Sequence, residues 1–194
     1  MAHPEYFPEI RIHPFAASGL FLLLFVTPKG YTFAVLSSVI LHEMGHLIAS
    51  LLYHKHPTFV KLMPTGISIG LLSSSSYTEE LVIAAAGPLM NLLYCATAVF
   101  FPYTLSKTVW TVSLLLCLLN LLPITTFDGG RMLGASAALL FGENFSERLL
   151  RLTTAVCLVC LWVLSLYVFF YSGINMTLLV FCTYLFSYLI LKKA

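Results

Sequence analysis

The 194 residues are 59% hydrophobic and only 9% charged, and the formal net charge is +2. A soluble domain is about 45–50% apolar and about 25% charged, so the composition excludes an ordinary water-soluble globule. Disorder is excluded as well, because it requires low hydrophobicity and high net charge. The small net charge, with no basic cluster beyond Lys192-Lys193, argues against nucleic acid as a partner. The composition predicts an integral membrane protein whose surroundings are the lipid bilayer.

The apolar stretches predict an all-α polytopic membrane protein with about six transmembrane helices, since one span needs roughly 20 mostly apolar residues. A short additional helix is predicted after the fourth span. In chain order the predicted helices are Phe15–Val26, Tyr31–Tyr53, Leu81–Phe101, Thr108–Leu122, the short helix Arg131–Phe141, Leu149–Tyr171 and Met176–Leu191.

The segment between the second and third spans is too rich in proline and glycine for a helix. It predicts a small membrane-associated β-hairpin, with Phe59-Val60 and Ile67–Leu72 as its strands. An irregular interfacial loop is the alternative. Non-helical backbone near a membrane must be buried in protein or face water, so a strand edge beside the second span would be a functional feature.

The basic residues are unevenly divided between the two faces that six spans create. If the N-terminus is cytoplasmic, the outer face holds only Lys29 and Lys107. The positive-inside rule therefore predicts that both termini are cytoplasmic and that the polar residues of spans two and four lie toward the cytoplasmic side. The basic residues on that side would be Arg11, Lys55, Lys61, Arg131, Arg148, Arg151, Lys192 and Lys193.

The second predicted span contains the sequence HEMGH, residues 42–46. A spacing of four places His42 and His46 one turn apart on the same helix face, where both imidazoles can bind one zinc ion. Glu43 is then placed to act as a general base toward water. A chance match is the alternative, but a charged group at the bilayer centre costs about 2.5–3.5 kcal/mol, so an acid in a span is a functional candidate.

Asp128 is the candidate for a third zinc ligand, because catalytic zinc usually has three protein ligands and one open position. It follows Pro123, which ends the fourth span, and it precedes two glycines that allow close approach of the backbone. The alternative is an ordinary helix N-cap. Glu79 and Glu80 stand at the end of a span and are expected to be solvated.

Two asparagines are polar residues within predicted spans. Asn91 follows Gly87-Pro88 in the third span, and Asn120 lies in the last turn of the fourth. Each is a candidate for oxyanion stabilisation or substrate positioning. The alternative for each is a hydrogen bond that joins neighbouring helices.

Together, HEMGH, the GPLMN segment and NLLP followed by DGGR resemble the site-2 protease family of intramembrane zinc metalloproteases. The resemblance covers about residues 10–133, and its Arg11–Pro14 start is similar to the branch that contains the sporulation protease acting on a sigma-factor precursor. It implies one Zn²⁺ held by His42, His46 and Asp128, with Glu43 as base. It also implies hydrolysis of a peptide bond in or near a transmembrane segment of a membrane protein, in a bacterial cell membrane.

The chain departs from the family's usual pattern at Thr126, where members commonly have a proline. Because of this departure, the resemblance predicts zinc binding more firmly than it predicts which substrate is cut. We expect residues 1–194 to form a single intramembrane metalloprotease domain without a PDZ or nucleotide-sensing domain. Regulation would then come from other membrane proteins or from the membrane itself.

Cleavage requires the substrate helix to unwind, so we expect the extended substrate to pair with the predicted strand Ile67, Ser68, Ile69 and Gly70. His54 and His56 are expected in a cytoplasmic turn, with a secondary metal site as the alternative. Two rival functions remain at this point: a non-catalytic zinc-binding scaffold and an ion or solute transporter. The first has no use for Glu43, and no inverted repeat supports the second.

Overall fold

The computed structural model describes residues 9–12, 28–55, 57–63, 66–71, 76–172 and 177–191. These residues form three strands and six α-helices, with a 3₁₀ turn at Ala98–Phe100. The strands are β1 (Glu9–Ile12), β2 (Pro57–Met63) and β3 (Gly66–Leu71). The helices are α1 (Lys29–Leu52), α2 (Tyr77–Thr97), α3 (Tyr103–Asn120), α4 (Asp128–Phe141), α5 (Glu143–Ser172) and α6 (Thr177–Leu191).

The chain divides into two compact units, Met1–Leu121 and Leu122–Ala194. In the first unit, helices α1, α2 and α3 pack against one another. Ala34, Tyr94, Ala98 and Val109 form an apolar cluster there. The small side chains of Ala34 and Ala98 let helix backbones approach closely, as is usual between helices in a membrane.

Helix α2 begins with a complete capping box. The Ser76 hydroxyl accepts a hydrogen bond from the Glu79 backbone N–H, and the Glu79 carboxylate accepts one from the Ser76 N–H. Glu79 also forms an ion pair of 3.0 Å with Lys55, just after α1. The helix then continues across Pro88 to Thr97. The reciprocal hydrogen bonds between Ser76 and Glu79 therefore define where α2 begins.

The three strands form one sheet in the order β1-β2-β3. Strands β2 and β3 are antiparallel, and β1 pairs with β2 in parallel. Strand β1 was not among the sequence-based predictions. Because β3 is last in the order, one of its edges faces away from β2.

The second unit contains α4, α5 and α6. Ile124, Phe127 and Leu185 form its buried apolar cluster. Helix α5 exposes many large apolar side chains, including Leu152 and Val159. An apolar surface of this kind is expected for a helix that faces lipid rather than water.

Among the described residues, three helical segments are long and apolar enough to cross a membrane: Lys29–Leu52, Tyr77–Phe100 and Glu143–Ser172. They coincide with the second, third and fifth predicted spans. The sixth predicted span contains α6, whereas α3 and α4 begin before the predicted fourth span and the predicted short helix, at Tyr103 instead of Thr108 and at Asp128 instead of Arg131. The first predicted span, Phe15–Val26, lies outside the described residues, so the total of six spans stays a prediction.

Candidate metal centre

His42 and His46 are buried on one face of α1, with exposed fractions of 4% and 8%. Their Nε2 atoms are 3.2 Å apart, and their rings meet edge to face with centroids 4.8 Å apart. The spacing of four residues produces this meeting, because residues i and i+4 lie one above the other on a helix. Both rings therefore turn the same nitrogen toward a common point.

Helix α2 contacts the other nitrogen of each ring. His46 Nδ1 is 2.7 Å from the carbonyl oxygen of Ile83, and His42 Nδ1 is 3.0 Å from Nδ2 of Asn91. Such contacts fix the orientation of the rings, as outer hydrogen bonds do for metal-binding histidines in general. The two Nε2 atoms are thus the ones that face each other.

Two glycines allow α1 and α2 to approach closely at this point. A Cβ atom built on Gly45 would lie 2.5 Å from the carbonyl oxygen of Ala86. A Cβ atom on Gly87 would overlap Nε2 of His46 and lie 2.8 Å from Cε1 of His42. No larger residue fits at Gly87 without moving the imidazoles, so this glycine makes the space in which they meet.

Glu43 lies next to His42 on α1 and is half-buried. A carboxylate in this position can act as a general base toward a water molecule within hydrogen-bond reach. This placement agrees with the role that the HEMGH sequence predicts for Glu43, and that role remains a proposal.

In the second unit, Asp128 is the first residue of α4 and is 6% exposed. The N-cap position belongs to Phe127, so the structure does not show the alternative in which Asp128 is an N-cap. A carboxylate in the first turn is stabilised by the helix dipole. Its Oδ1 atom is also 3.5 Å from the Arg131 guanidinium.

His42, His46 and Asp128 each offer one ligand atom, and the three together are the donor set that the sequence predicts for one metal ion. Two imidazole nitrogens and one carboxylate oxygen are a donor set that suits catalytic zinc and leaves one position open. The space at Gly87 and the inward-facing Nε2 atoms also fit a bound ion. These residues are therefore consistent with a single Zn²⁺.

The remaining candidate residues have other environments. The Asn120 side chain is half-buried and donates to the carbonyl oxygen of Leu116, on its own helix, at 3.1 Å. His54 is exposed in the turn after α1, and His56 lies outside the described residues. The predicted substrate-pairing residues Ile67–Gly70 belong to β3, which is described by its backbone alone.

Sequence reasoning missed two contributors to this site. The Ile83 carbonyl gives no signal, because any residue can supply a backbone oxygen. Gly87 is named in the sequence analysis only as the residue pair Gly87-Pro88 that precedes Asn91. Its spacing of four from Asn91, which places both on one face of α2, is the signal that could have identified it.

Comparison with known proteins gives two curated relatives. A zinc metalloprotease of Methanocaldococcus jannaschii is 30% identical over 67% of this chain and 38% of its own length. Stage IV sporulation protein FB of Bacillus subtilis is 27% identical over 80% of this chain and 58% of its own. The chain thus spans about two-fifths to three-fifths of these relatives. No protein-family model matches it.

Among solved structures, the site-2 protease from Methanocaldococcus jannaschii matches with a TM-score of 0.69 and 22% sequence identity. The match covers 94% of this chain and 89% of that one. At this identity the likeness shows a shared fold. Together with the curated relatives, it confirms the resemblance indicated by the three sequence motifs.

Proposed function

We propose that this chain, a relative of the site-2 protease family in sequence and fold, is a zinc-dependent intramembrane endopeptidase. The observation that carries the proposal is the pair of buried imidazoles on α1. Their Nε2 atoms face each other at 3.2 Å, while α2 engages both Nδ1 atoms. A helix that faces lipid has no structural need for such a pair, so polar groups placed there indicate a functional site.

The proposed ligands of the zinc ion are His42, His46 and Asp128, with Glu43 as general base. When bound, zinc supplies Lewis acidity, which lowers the pKa of water and polarises a peptide carbonyl. Glu43 then accepts the proton that water loses as it attacks the carbonyl carbon, and returns it to the leaving amine. Asn120 and Asn91 are the amides considered for oxyanion stabilisation, and Asn91 has a contact to His42 that suggests a different role.

The proposed substrate is a membrane-bound protein cut in or near a transmembrane segment, such as a transcription-factor precursor or an anti-sigma factor. A peptide bond within a helix has its carbonyl hydrogen-bonded, so the segment must unwind before attack. The position of β3 at the end of the strand order supports an edge for the unwound chain to pair with at Ile67–Gly70.

The proposed setting is a bacterial cell membrane crossed about six times, with both termini and the active site toward the cytoplasm. Three helices of sufficient length and hydrophobicity support this layout. The distribution of basic residues in the sequence supports the orientation.

The decisive test exchanges the proposed base for its neutral isostere. Glu43→Gln should bind one zinc ion with wild-type affinity and should cleave no membrane substrate, because the amide cannot accept the proton. The matched control is Glu147→Gln, since Glu147 is an exposed acid whose contact is a 3.6 Å ion pair with Arg151. Proteomics of membrane fractions from cells with each variant would reveal a substrate that accumulates uncut only with Glu43→Gln.

Each alternative function gives a different result. Cleavage by the Glu43→Gln variant would contradict the proposed mechanism. Zinc bound by the wild type with no protein accumulating in the variant would indicate a scaffold. A metal requirement for ion or solute flux, again without cleavage, would indicate a transporter.

A further inference from the structure

The end of α1 and the start of α2 are joined by a charged pair outside the proposed metal site. Lys55 Nζ lies 3.0 Å from a carboxylate oxygen of Glu79, and Lys55 is buried, with 8% of its surface exposed. A lysine is almost never buried to this extent unless its ammonium group has a partner. The pair is therefore a specific contact between two helix ends.

The backbone at the end of α1 turns so that Lys55 can reach α2. The His54 N–H donates to the Leu51 carbonyl at 2.9 Å. The Lys55 N–H donates to the Ser50 carbonyl at 2.9 Å, which completes the two hydrogen bonds of a Schellman motif. His54 has a φ of 53°, a left-handed conformation that glycine usually provides at this position. Helix α1 thus ends at a defined turn that directs Lys55 toward Glu79.

Glu79 is held in place by the capping box that begins α2. Its Oε2 atom accepts a hydrogen bond of 2.9 Å from the Ser76 backbone N–H, and the same atom lies opposite Lys55 Nζ. A carboxylate in the first turn of a helix is also stabilised by the helix dipole. Because the capping box already orients Glu79, forming the ion pair costs less side-chain entropy than it does for two mobile surface groups.

The ion pair brings together the two ends of the segment that contains the β2–β3 hairpin. Strand β2 begins at Pro57, two residues after Lys55. Strand β3 ends at Leu71, five residues before Ser76. Pro57 pairs with Leu71 at the open end of the hairpin, and the register is irregular there, between Pro57 and Phe59. Holding the ends of a segment together lowers the entropy cost of pairing the strands within it, so the ion pair supports the hairpin where its ladder is irregular.

The proposed substrate edge on β3 reaches this open end. Among the described elements, the main contacts of β2 are with β1 and β3, and the main contacts of α1 are with α2 and α3. The sheet therefore depends on its chain ends for its position beside the helices. Gly70, the last of the proposed edge residues, pairs with Phe59 next to the open end. A strand can pair with a peptide at its edge only while it is itself extended, so fraying here would shorten the edge.

We propose that Lys55 and Glu79 are positioning residues for the substrate: their ion pair keeps the open end of the β2–β3 hairpin closed, so that the edge of β3 stays extended for the unwound chain. The proposal rests on the strand pairing of the proposed function. It adds two residues that act through the hairpin and lie outside the proposed set of zinc ligands.

Two substitutions break the pair in different ways. Lys55→Met keeps most of the apolar stem of the side chain and removes the ammonium group. Glu79→Gln removes the negative charge, while a glutamine at this position still accepts the Ser76 N–H. Lys55→Arg keeps the positive charge and should behave as the wild type does. The matched control is Ser76→Ala, which removes the hydroxyl of the capping box and leaves both charges in place.

Hydrogen exchange of the full-length protein in detergent, read by mass spectrometry, measures the strand pairing. In Lys55→Met and Glu79→Gln, amides near Phe59 and Gly70 should exchange about three- to tenfold faster than in the wild type. Amides at the turn end of the hairpin should be unchanged, and Ser76→Ala should affect only the first turn of α2. Wild-type exchange at the open end in both pair variants, or equally faster exchange along the whole chain, would overturn the proposal.

The effect on cleavage separates substrate binding from chemistry. For a fluorescence-quenched peptide with roughly 20 apolar residues, KM should rise about three- to tenfold in Lys55→Met and Glu79→Gln. Their kcat and their zinc affinity should equal those of the wild type, and Lys55→Arg should have the wild-type KM. Faster exchange at the open end with an unchanged KM would overturn the role in substrate positioning.

Failure of this inference differs from failure of the proposed function. If the wild type cleaves and the two pair variants match it in both exchange and KM, the protease proposal stands and the role of Lys55 and Glu79 is wrong. If the wild type cleaves neither the peptide nor any membrane protein, the proposed function fails. Faster exchange in the pair variants would then show a structural contact only, which overturns the inference as well.

Discussion

The proposed ligands in the two units are positioned by different kinds of contact. In the first unit, His42 and His46 are oriented by side-chain hydrogen bonds and by the space that Gly87 leaves on the neighbouring helix. In the second, Asp128 is placed by the backbone, as the first residue of α4 directly after a tight turn. A Cβ atom on Gly130 would overlap the Ile124 carbonyl oxygen of that turn.

This difference determines what each region can do. The position of the Asp128 backbone changes only if the turn before α4 is rebuilt, because a Cβ atom on Gly130 would already meet that turn. The two imidazoles are contacted by groups of a neighbouring helix, so their orientation depends on how α1 and α2 pack. We therefore expect damage near Asp128 to appear first as lost stability, and damage near the histidines to appear first as lost metal affinity.

Gly130→Ala should give the largest loss of stability. The added methyl group meets the carbonyl oxygen of Ile124, and a backbone atom cannot rotate away as a side chain can. We expect the free energy of unfolding to fall by about 3 kcal/mol, the upper part of the range for overpacking. Thermal unfolding in detergent would measure it.

The control for this change is Gly134→Ala, on the same helix. Its added methyl group meets Cδ1 of Leu150, the end of a flexible side chain, so the loss should be small. Equal unfolding temperatures for the two variants would show that the turn before Asp128 can shift at little cost in free energy. The proposed difference between the Asp128 region and the histidine region would then be wrong.

Gly87→Ala tests the histidine region. The methyl group would overlap His46 Nε2, one of the atoms that face the proposed ion. We expect zinc affinity to fall by about 10- to 100-fold, equivalent to ~1–3 kcal/mol. Gly30→Ala on α1 is the control, because nothing lies within 4 Å of its added methyl group. Wild-type zinc affinity in Gly87→Ala would mean that the imidazoles are not confined as the structure indicates.

A proline in β3 tests the proposed substrate edge. Neighbouring backbone N–H groups of a strand point to opposite edges, so of Ser68→Pro and Ile69→Pro one removes a donor from the edge that faces away from β2. That variant should reduce turnover several-fold while zinc affinity is unchanged, because proline leaves the substrate one hydrogen bond short. Full turnover in both variants would contradict strand pairing.

The sequence predicted the histidine region well because its signal is local. HEMGH places two imidazoles one turn apart on any helix, and the structure brings their Nε2 atoms together as that spacing requires. The helices themselves were also predictable from apolar length, although α5 begins at Glu143, before the predicted start at Leu149. Polar residues in the first turn of a helix are easily assigned to the preceding loop.

The contacts between distant segments could not be predicted in the same way. Nothing in the sequence pairs Asn91 with His42, because the partner of a buried amide depends on how two helices rotate against each other. Likewise, the parallel pairing of β1 with β2 joins segments separated by the whole of α1. Four residues, Glu9–Ile12, are too few to show the alternation that identifies a strand.

Thr154→Val should lower the stability of the second unit less than Gly130→Ala does. The Thr154 hydroxyl accepts a hydrogen bond of 3.1 Å from the Thr125 backbone N–H, in the turn that leads to Asp128. Valine has the same shape but no acceptor, so the N–H loses its partner and the free energy of unfolding should fall by about 1 kcal/mol. Thr153→Val is the matched control, since that hydroxyl bonds only to carbonyls of its own helix among the described contacts. The contrary result is a Thr154→Val variant with unchanged stability and a loss of zinc affinity as large as that of Gly87→Ala. It would show that side-chain contacts position the Asp128 turn, as they position the histidines.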